Sequence, residues 1–136
     1  MNASTQPKPA MNTDQQRAHD AWKVVQKAKN LSSDKQKEFG RNVLQAAPRI
    51  LTSGLGPTLA FLQAKKFAPD LTAALNNWIH QRRPAVRDTD DDKDLTRRIM
   101  LEDAAFLRYV TAESIAYLQW LKRFSEAEGL TKDAEN

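Results

Sequence analysis

The sequence predicts an all-α fold, a single bundle of about six helices, and three observations carry that prediction. Apolar residues recur at three- and four-residue spacing over most of the chain. No stretch alternates with period two for long enough to build a sheet. Only four Gly occur, and the Pro residues, Pro48 excepted, stand between the periodic stretches rather than inside them.

The first helix is predicted to start from Thr13, which precedes Asp14 and has Gln16 at the capping-box position. Ala18, Ala21, Trp22, Val25 and Ala28 follow at helical spacing, and Asn30-Leu31-Ser32 ends the helix. Ser33 caps a second helix, with Gln36 three residues on and Phe39, Val43, Leu44, Ala47 and Leu51 as apolar positions. Pro48 lies inside this pattern and predicts a kink or break near Ala46, because an interior proline removes one N–H and crowds the preceding turn. The turn SGLGPT leads to a third helix opening at Pro57, PTLAFLQAKK. Pro69 opens a fourth, PDLTAALNNWIHQRR, whose His80, Arg82 and Arg83 complement the dipole at its end before Pro84 stops it. RPAVRDTDDDKD reads as a charged loop. A fifth helix is predicted from about Asp94 to Arg108, and a sixth from Thr111 to Gly129.

At 136 residues, 40% hydrophobic and 28% charged, the chain has the size and composition to bury the core of one domain. Residues 1–12 read as a disordered tail without the apolar segment of a secretory signal, residues 13–130 as the helical domain, and residues 131–136 as a flexible C-terminus. No apolar run approaches the ~18 residues of a membrane span, so no membrane partner is expected. With no cysteine, disulfides, thiol catalysis and cysteine-ligated zinc are excluded. Cytoplasm is the expected compartment.

The net charge of +4 is unevenly distributed. Residues 1–87 hold fourteen Lys and Arg against five Asp and Glu, whereas residues 88–136 hold seven against twelve. A basic first part suits phosphate or an acidic protein surface. Catalytic and metal constellations find less support. The run Asp88, Asp90, Asp91, Asp92, Asp94 fails as a calcium loop in both registers. From Asp88 the Gly and Glu positions hold Lys93 and Ile99, and from Asp90 they hold Leu95 and Leu101. His19 and His80 form no ligand motif, and Glu102 and Asp103 are adjacent, so a helix would aim them about 100° apart. They read as a surface residue and a packing contact. No G-x-S-x-G elbow occurs, and GLGPTL lacks the phosphate-loop Gly-Lys, leaving at most a helix start able to hold one phosphate. No enzyme activity, cofactor or metal is expected.

Binding residues are easier to nominate. Lys23 and Lys27 share one face of the first helix, away from Trp22 and Val25; Lys35, Lys37, Arg41 and Arg49 decorate the second, though not all on one side; Lys65 and Lys66 end the third. On the last helix Tyr117, Leu118, Trp120, Leu121, Phe124 and Ala127 gather on one side, and Gln119, Lys122, Arg123 and Glu126 on the other. Lys122 and Arg123 therefore face solvent or a partner. The Trp and Tyr residues sit in apolar patterns and are expected in the core rather than as base-stacking platforms. A helical DNA-binding regulator is the alternative, but the third helix, with Leu59, Ala60, Phe61 and Leu62, is too apolar for recognition.

Three blocks, DQQRAHDAWKVV, APRILTSGLGPTLAFLQAKK and YVTAESIAYLQWLKRFSEA, resemble the small-subunit family of the type III-B CRISPR effector, the fifth protein of the Cmr module. The resemblance covers roughly residues 14–128. Its pattern falls on Arg17 and Ala18, Gly54 and Leu55, Leu59 to Leu62, Thr111 and Glu113, and Trp120 to Arg123. It implies a non-catalytic helical protein that self-associates as a minor filament beside the backbone subunit of the complex. Guide (crRNA) and target RNA and other Cmr subunits would be its partners, and cleavage would belong to other subunits. Gly54 and the apolar positions are read as turn and core. Arg17, Lys122 and Arg123 are the members that packing does not demand, so they join Lys23, Lys27, Arg41, Arg49, Lys65 and Lys66 as candidate RNA- or partner-binding residues.

Overall fold

A computed structural model describes residues 10–64 and 68–132. Among these residues there are seven helices and no strand: α1 (Thr13–Ala28), α2 (Ser33–Ser53), α3 (Leu55–Ala64), α4 (Pro69–Arg82), α5 (Asp90–Lys93), α6 (Leu95–Leu101) and α7 (Ala104–Ala127). The 24-residue α7 is the axis, with α1 along one flank and α2 along another. Arg17 meets Glu113 and Lys29 meets Glu128, so α1 and α7 run in the same direction. The α3–α4 hairpin closes the bundle, and α4 reaches α1 and α7. Trp78 of α4 and Tyr117 of α7 stack at its centre, rings 5.2 Å apart and inclined by 7°.

Side-chain caps start α1 and α2, each one residue earlier than expected. Asn12, not Thr13, caps α1: its side chain accepts from the N–H of Gln15, and the Gln15 side chain accepts from the N–H of Asn12, both at 2.8 Å. Thr13/Gln16 and Asn12/Gln15 satisfy the same capping-box spacing, so the pattern was degenerate. Ser32 rather than Ser33 caps α2. Gln36 is thereby released to donate to the carbonyls of Lys29 and Leu31, tying the α1–α2 turn.

The chain does not break at Pro48. Its ring lies on the exposed side of α2, while Ala46, Ala47 and Ile50 bury the opposite flank and hold the helix together. The same phase puts Leu51 outside, 74% exposed. Likewise Ala21, Val25 and Ala28 define the buried stripe of α1, and Trp22, about 100° from Ala21, is left out of the core. Ala127 is exposed and Trp120 half-buried, whereas Tyr117, Leu118 and Leu121 are buried as expected.

The predicted fifth and sixth helices are divided differently. Helix α6 ends at Leu101, Glu102 is extended, and Asp103 restarts the chain by accepting the N–H of Phe106 at 2.9 Å. Helix α7 then passes through Thr111, whose hydroxyl donates to the carbonyl of Leu107 at 2.7 Å. Glu102 and Asp103 are thus a helix-end ion-pair residue and a cap, not a packing contact. Helix α3 begins at Leu55, two residues before Pro57.

After α7 the chain turns at Gly129, with φ of 77°, and the N–H of Leu130 bonds back to Ser125 at 2.9 Å. Leu130 and Thr131 are buried there. Gly40 permits this: any Cβ at that position would collide with the Leu130 carbonyl. Of the expected tail over residues 1–12 and the expected C-terminus over 131–136, residues 1–9 and 133–136 lie outside the described residues.

Candidate nucleic-acid and partner interface

The seam between α1, α4 and α7 holds a buried polar network centred on Glu113, 5% exposed. Its Oε2 accepts from Arg17 Nε at 2.5 Å and from the Trp78 indole N–H at 3.0 Å, while Oε1 accepts from Arg17 Nη2 at 2.9 Å. Burial pushes the Glu113 carboxyl up, but Arg17, Trp78 and the nearby Arg82 outweigh it and hold the group below the ordinary glutamate range. Hydrogen bonding to Glu113 in turn raises the Arg17 guanidinium above its usual value. One turn on, the Tyr117 hydroxyl donates to Asp20 at 2.5 Å, and burial first, then Asp20, raises the phenol well above its normal range. Trp120 donates to Asp14 at 2.9 Å, and Lys29 meets Glu128 at 2.9 Å. Arg17 therefore holds the seam together, its fork engaged with Glu113 and Asp14.

The other nominated cations are placed differently. Lys23 and Lys27 come together on the rim of an open groove of about 340 Å³ between α1 and α4, which Asn77, His80, Gln81 and Lys93 also line. The groove's two acids are already engaged. Asp20 accepts from Tyr117 and, at 3.1 Å, from Gln81; Asp88 pairs with Lys93 at 3.1 Å. Among the described residues, Lys23 and Lys27 have neither an ion pair nor a hydrogen bond, and both are exposed. Arg41 is exposed on α2, and Lys122 and Arg123 on α7, each away from this groove. Arg49 lies over the Phe61 ring at 3.7 Å and is half-buried, so it pins α2 to α3. Lys65 and Lys66 lie outside the described residues.

Residues 13–128 match the family model described as CRISPR-associated protein (Cas_Cmr5). The chain belongs to the Cmr5 family. It is accordingly a subunit of the CRISPR-associated Cmr complex, the small subunit of type III-B. No curated protein sequence matches the chain.

Within this Cmr5 chain, two positions that carried the resemblance, Arg17 and Glu113, are the two ends of one salt bridge joining helices 96 residues apart in sequence. No local spacing reveals such a pair. The Asp-rich segment also has an internal explanation. Thr89 caps α5 and Asp94 caps α6, while Asp92 pairs with Arg87 at 2.8 Å and lies 3.7 Å from Arg97. Among the described residues no group of three or more His, Cys, Asp or Glu is arranged to hold a metal ion. His80 accepts the Ala85 N–H at 2.9 Å on Nδ1, closing the turn after α4. In α3, Leu55, Thr58, Leu59 and Leu62 are buried, so the helix is not free to read a DNA groove. Its start offers few donors to a phosphate, since Pro57 has no N–H and Thr58 bonds back to Gly54 through both N–H and hydroxyl.

Two exposed features escaped sequence reading. Met100 and Leu101, each 72% exposed, and Leu107 at 38% leave an apolar surface where α6 meets α7. An unbroken helix from Asp94 to Arg108 hid it, because the break at Glu102–Asp103 changes which residues share a face. Trp22, 48% exposed, is the other; the tight stripe of Ala21, Val25 and Ala28 was its signal. No helix among the described residues is long and apolar enough to cross a membrane.

Proposed function

We propose that this Cmr5 protein is a non-catalytic cytoplasmic subunit of a crRNA-guided, RNA-targeting complex. Copies stack as a minor filament beside the backbone subunits, and basic helix faces contact guide and target RNA. The observation that supports the RNA part is the pair Lys23 and Lys27, exposed and without an ion pair on the rim of a groove whose two carboxylates, Asp20 and Asp88, are already engaged by other residues. Such a surface neutralises phosphate without reading bases, which suits a complex whose sequence choice comes from guide pairing. Arg41, exposed on α2, is a separate cation available to phosphate. Lys122 and Arg123, on the solvent arc of α7, and the apolar α6–α7 surface serve contacts with neighbouring subunits, because uncovered apolar area of this kind is typical of protein interfaces.

A tagged chain purified from cells expressing the whole Cmr module tests the assignment. Short guide RNAs and the other subunits should co-purify, and Lys122→Glu with Arg123→Glu should reduce recovery of the subunits without unfolding the protein. A chain that elutes alone, free of RNA, contradicts the reading.

A further inference from the structure

Trp22 differs from the other two tryptophans in having no structural task. Trp78 is 2% exposed and donates to Glu113, and half-buried Trp120 donates to Asp14, whereas Trp22 is 48% exposed. Among the described residues its indole has no stacked ring, no cation above it and no hydrogen-bond acceptor. At about 100° per residue, the outward arc of α1 carries His19, Trp22, Lys23 and Lys27, all exposed. The acid that borders it, Asp20, lies beside Lys27, about 20° away around the helix, and its carboxylate is engaged. Asp20 is turned to Tyr117 and Gln81, Asp14 to Arg17 and Trp120, and Glu128 of α7 is paired with Lys29.

An exposed aromatic among unpaired cations matches the two requirements of single-strand binding, a stacking face and phosphate neutralisation. A protein-binding anchor would instead sit within further apolar surface. Here the other large exposed apolar residues lie off the arc; Met11, the nearest in sequence, is about 16 Å away along the helix direction at 1.5 Å per residue.

We infer that Trp22 is a stacking platform for an unpaired base of single-stranded RNA, with Lys23 and Lys27 holding adjacent phosphates. The inference rests on the RNA-contact reading above and adds to it a preference for strand with accessible bases over paired duplex. Stacking is tolerant of base identity, so no sequence preference accompanies it.

The test uses the full chain with two probes of equal length, a single-stranded oligoadenylate and an abasic phosphodiester oligomer. Trp22→Ala should weaken oligoadenylate about tenfold or more, leave the abasic oligomer unchanged, and keep its thermal midpoint; Trp22→Phe should recover much of the loss. Lys23→Glu with Lys27→Glu should weaken both probes. If the lysine variant loses both probes and Trp22→Ala loses neither, stacking is wrong and the RNA reading stands. If Trp22→Ala weakens both probes equally, or blocks assembly with other subunits while oligoadenylate binding is intact, Trp22 has a different role and the inference fails. If no variant alters either probe, the RNA reading fails with it.

Discussion

Helix α1 has two edges that read alike in sequence and behave differently in the fold. On the inner edge, Arg17 delivers its guanidinium to a carboxylate that is nearly inaccessible to water, and Asp14 and Asp20 bond to aromatic donors of α7. On the outer edge, Lys23 and Lys27 project from the same helix with no partner among the described residues. Cations on one helix thus divide into a structural class and an available class. What separates them is the position of one acid, Glu113, brought over from a helix near the other end of the chain.

The sharpest way to break this division is to remove that acid. Glu113→Ala leaves the Trp78 N–H without its acceptor in a buried seam and Arg17 with only the exposed Asp14, and should cost about 3–5 kcal/mol. A thermal melt followed by circular dichroism should fall by on the order of 10 °C. A change below about 1 kcal/mol would show that the network is incidental to the fold.

Acid should attack the same edge selectively. Because the folded Glu113 carboxyl sits below its ordinary range, the unfolded chain binds the proton more readily, and stability rises with pH through that interval. The contribution is fully present above the ordinary glutamate value of about 4.3 and is lost as pH falls through the lower folded value. Urea midpoints measured from neutral pH downward should therefore drop below about pH 4. The drop should be shallower in Glu113→Gln, which already lacks the titrating group. Equal slopes for both proteins would remove Glu113 from the account. A smaller effect is expected from Tyr117→Phe, which deletes the hydroxyl donated to Asp20 but keeps the stack on Trp78: about 1.5 kcal/mol by equilibrium unfolding, as for a hydrogen bond to a charged acceptor.

Much of the fold was legible because helices are local. Spacing of apolar residues located α1, α2, α4 and the second half of α7, and Gly129 ended α7 where the turn geometry requires a positive φ. The misplacements were also local: two adjacent capping boxes compete at Asn12 and Thr13, and Asp103 caps a helix inside a stretch whose periodicity seemed continuous. The site was less legible because charge pairing is a tertiary property. Helical phase sets Lys23 and Lys27 on an exposed face, and they are exposed, but Trp22, expected in the core away from them, is exposed as well. Arg17 looked equally available, since its partner lies 96 residues away. The contact of Arg49 was hidden for a related reason, as its partner is an aromatic face of α3 rather than an acid.

The division between the edges of α1 is tested most directly by the salt dependence of RNA binding. Affinity of the full chain for a single-stranded oligonucleotide should fall linearly on a log–log plot against salt, each neutralised phosphate adding about 0.7 to the slope. Replacing Lys23 and Lys27 with Glu should reduce that slope by about 1.4, two phosphates at 0.7 each, with the melting temperature unchanged. An unchanged slope, or a double variant that unfolds, would contradict the assignment of these two lysines to binding rather than to the fold.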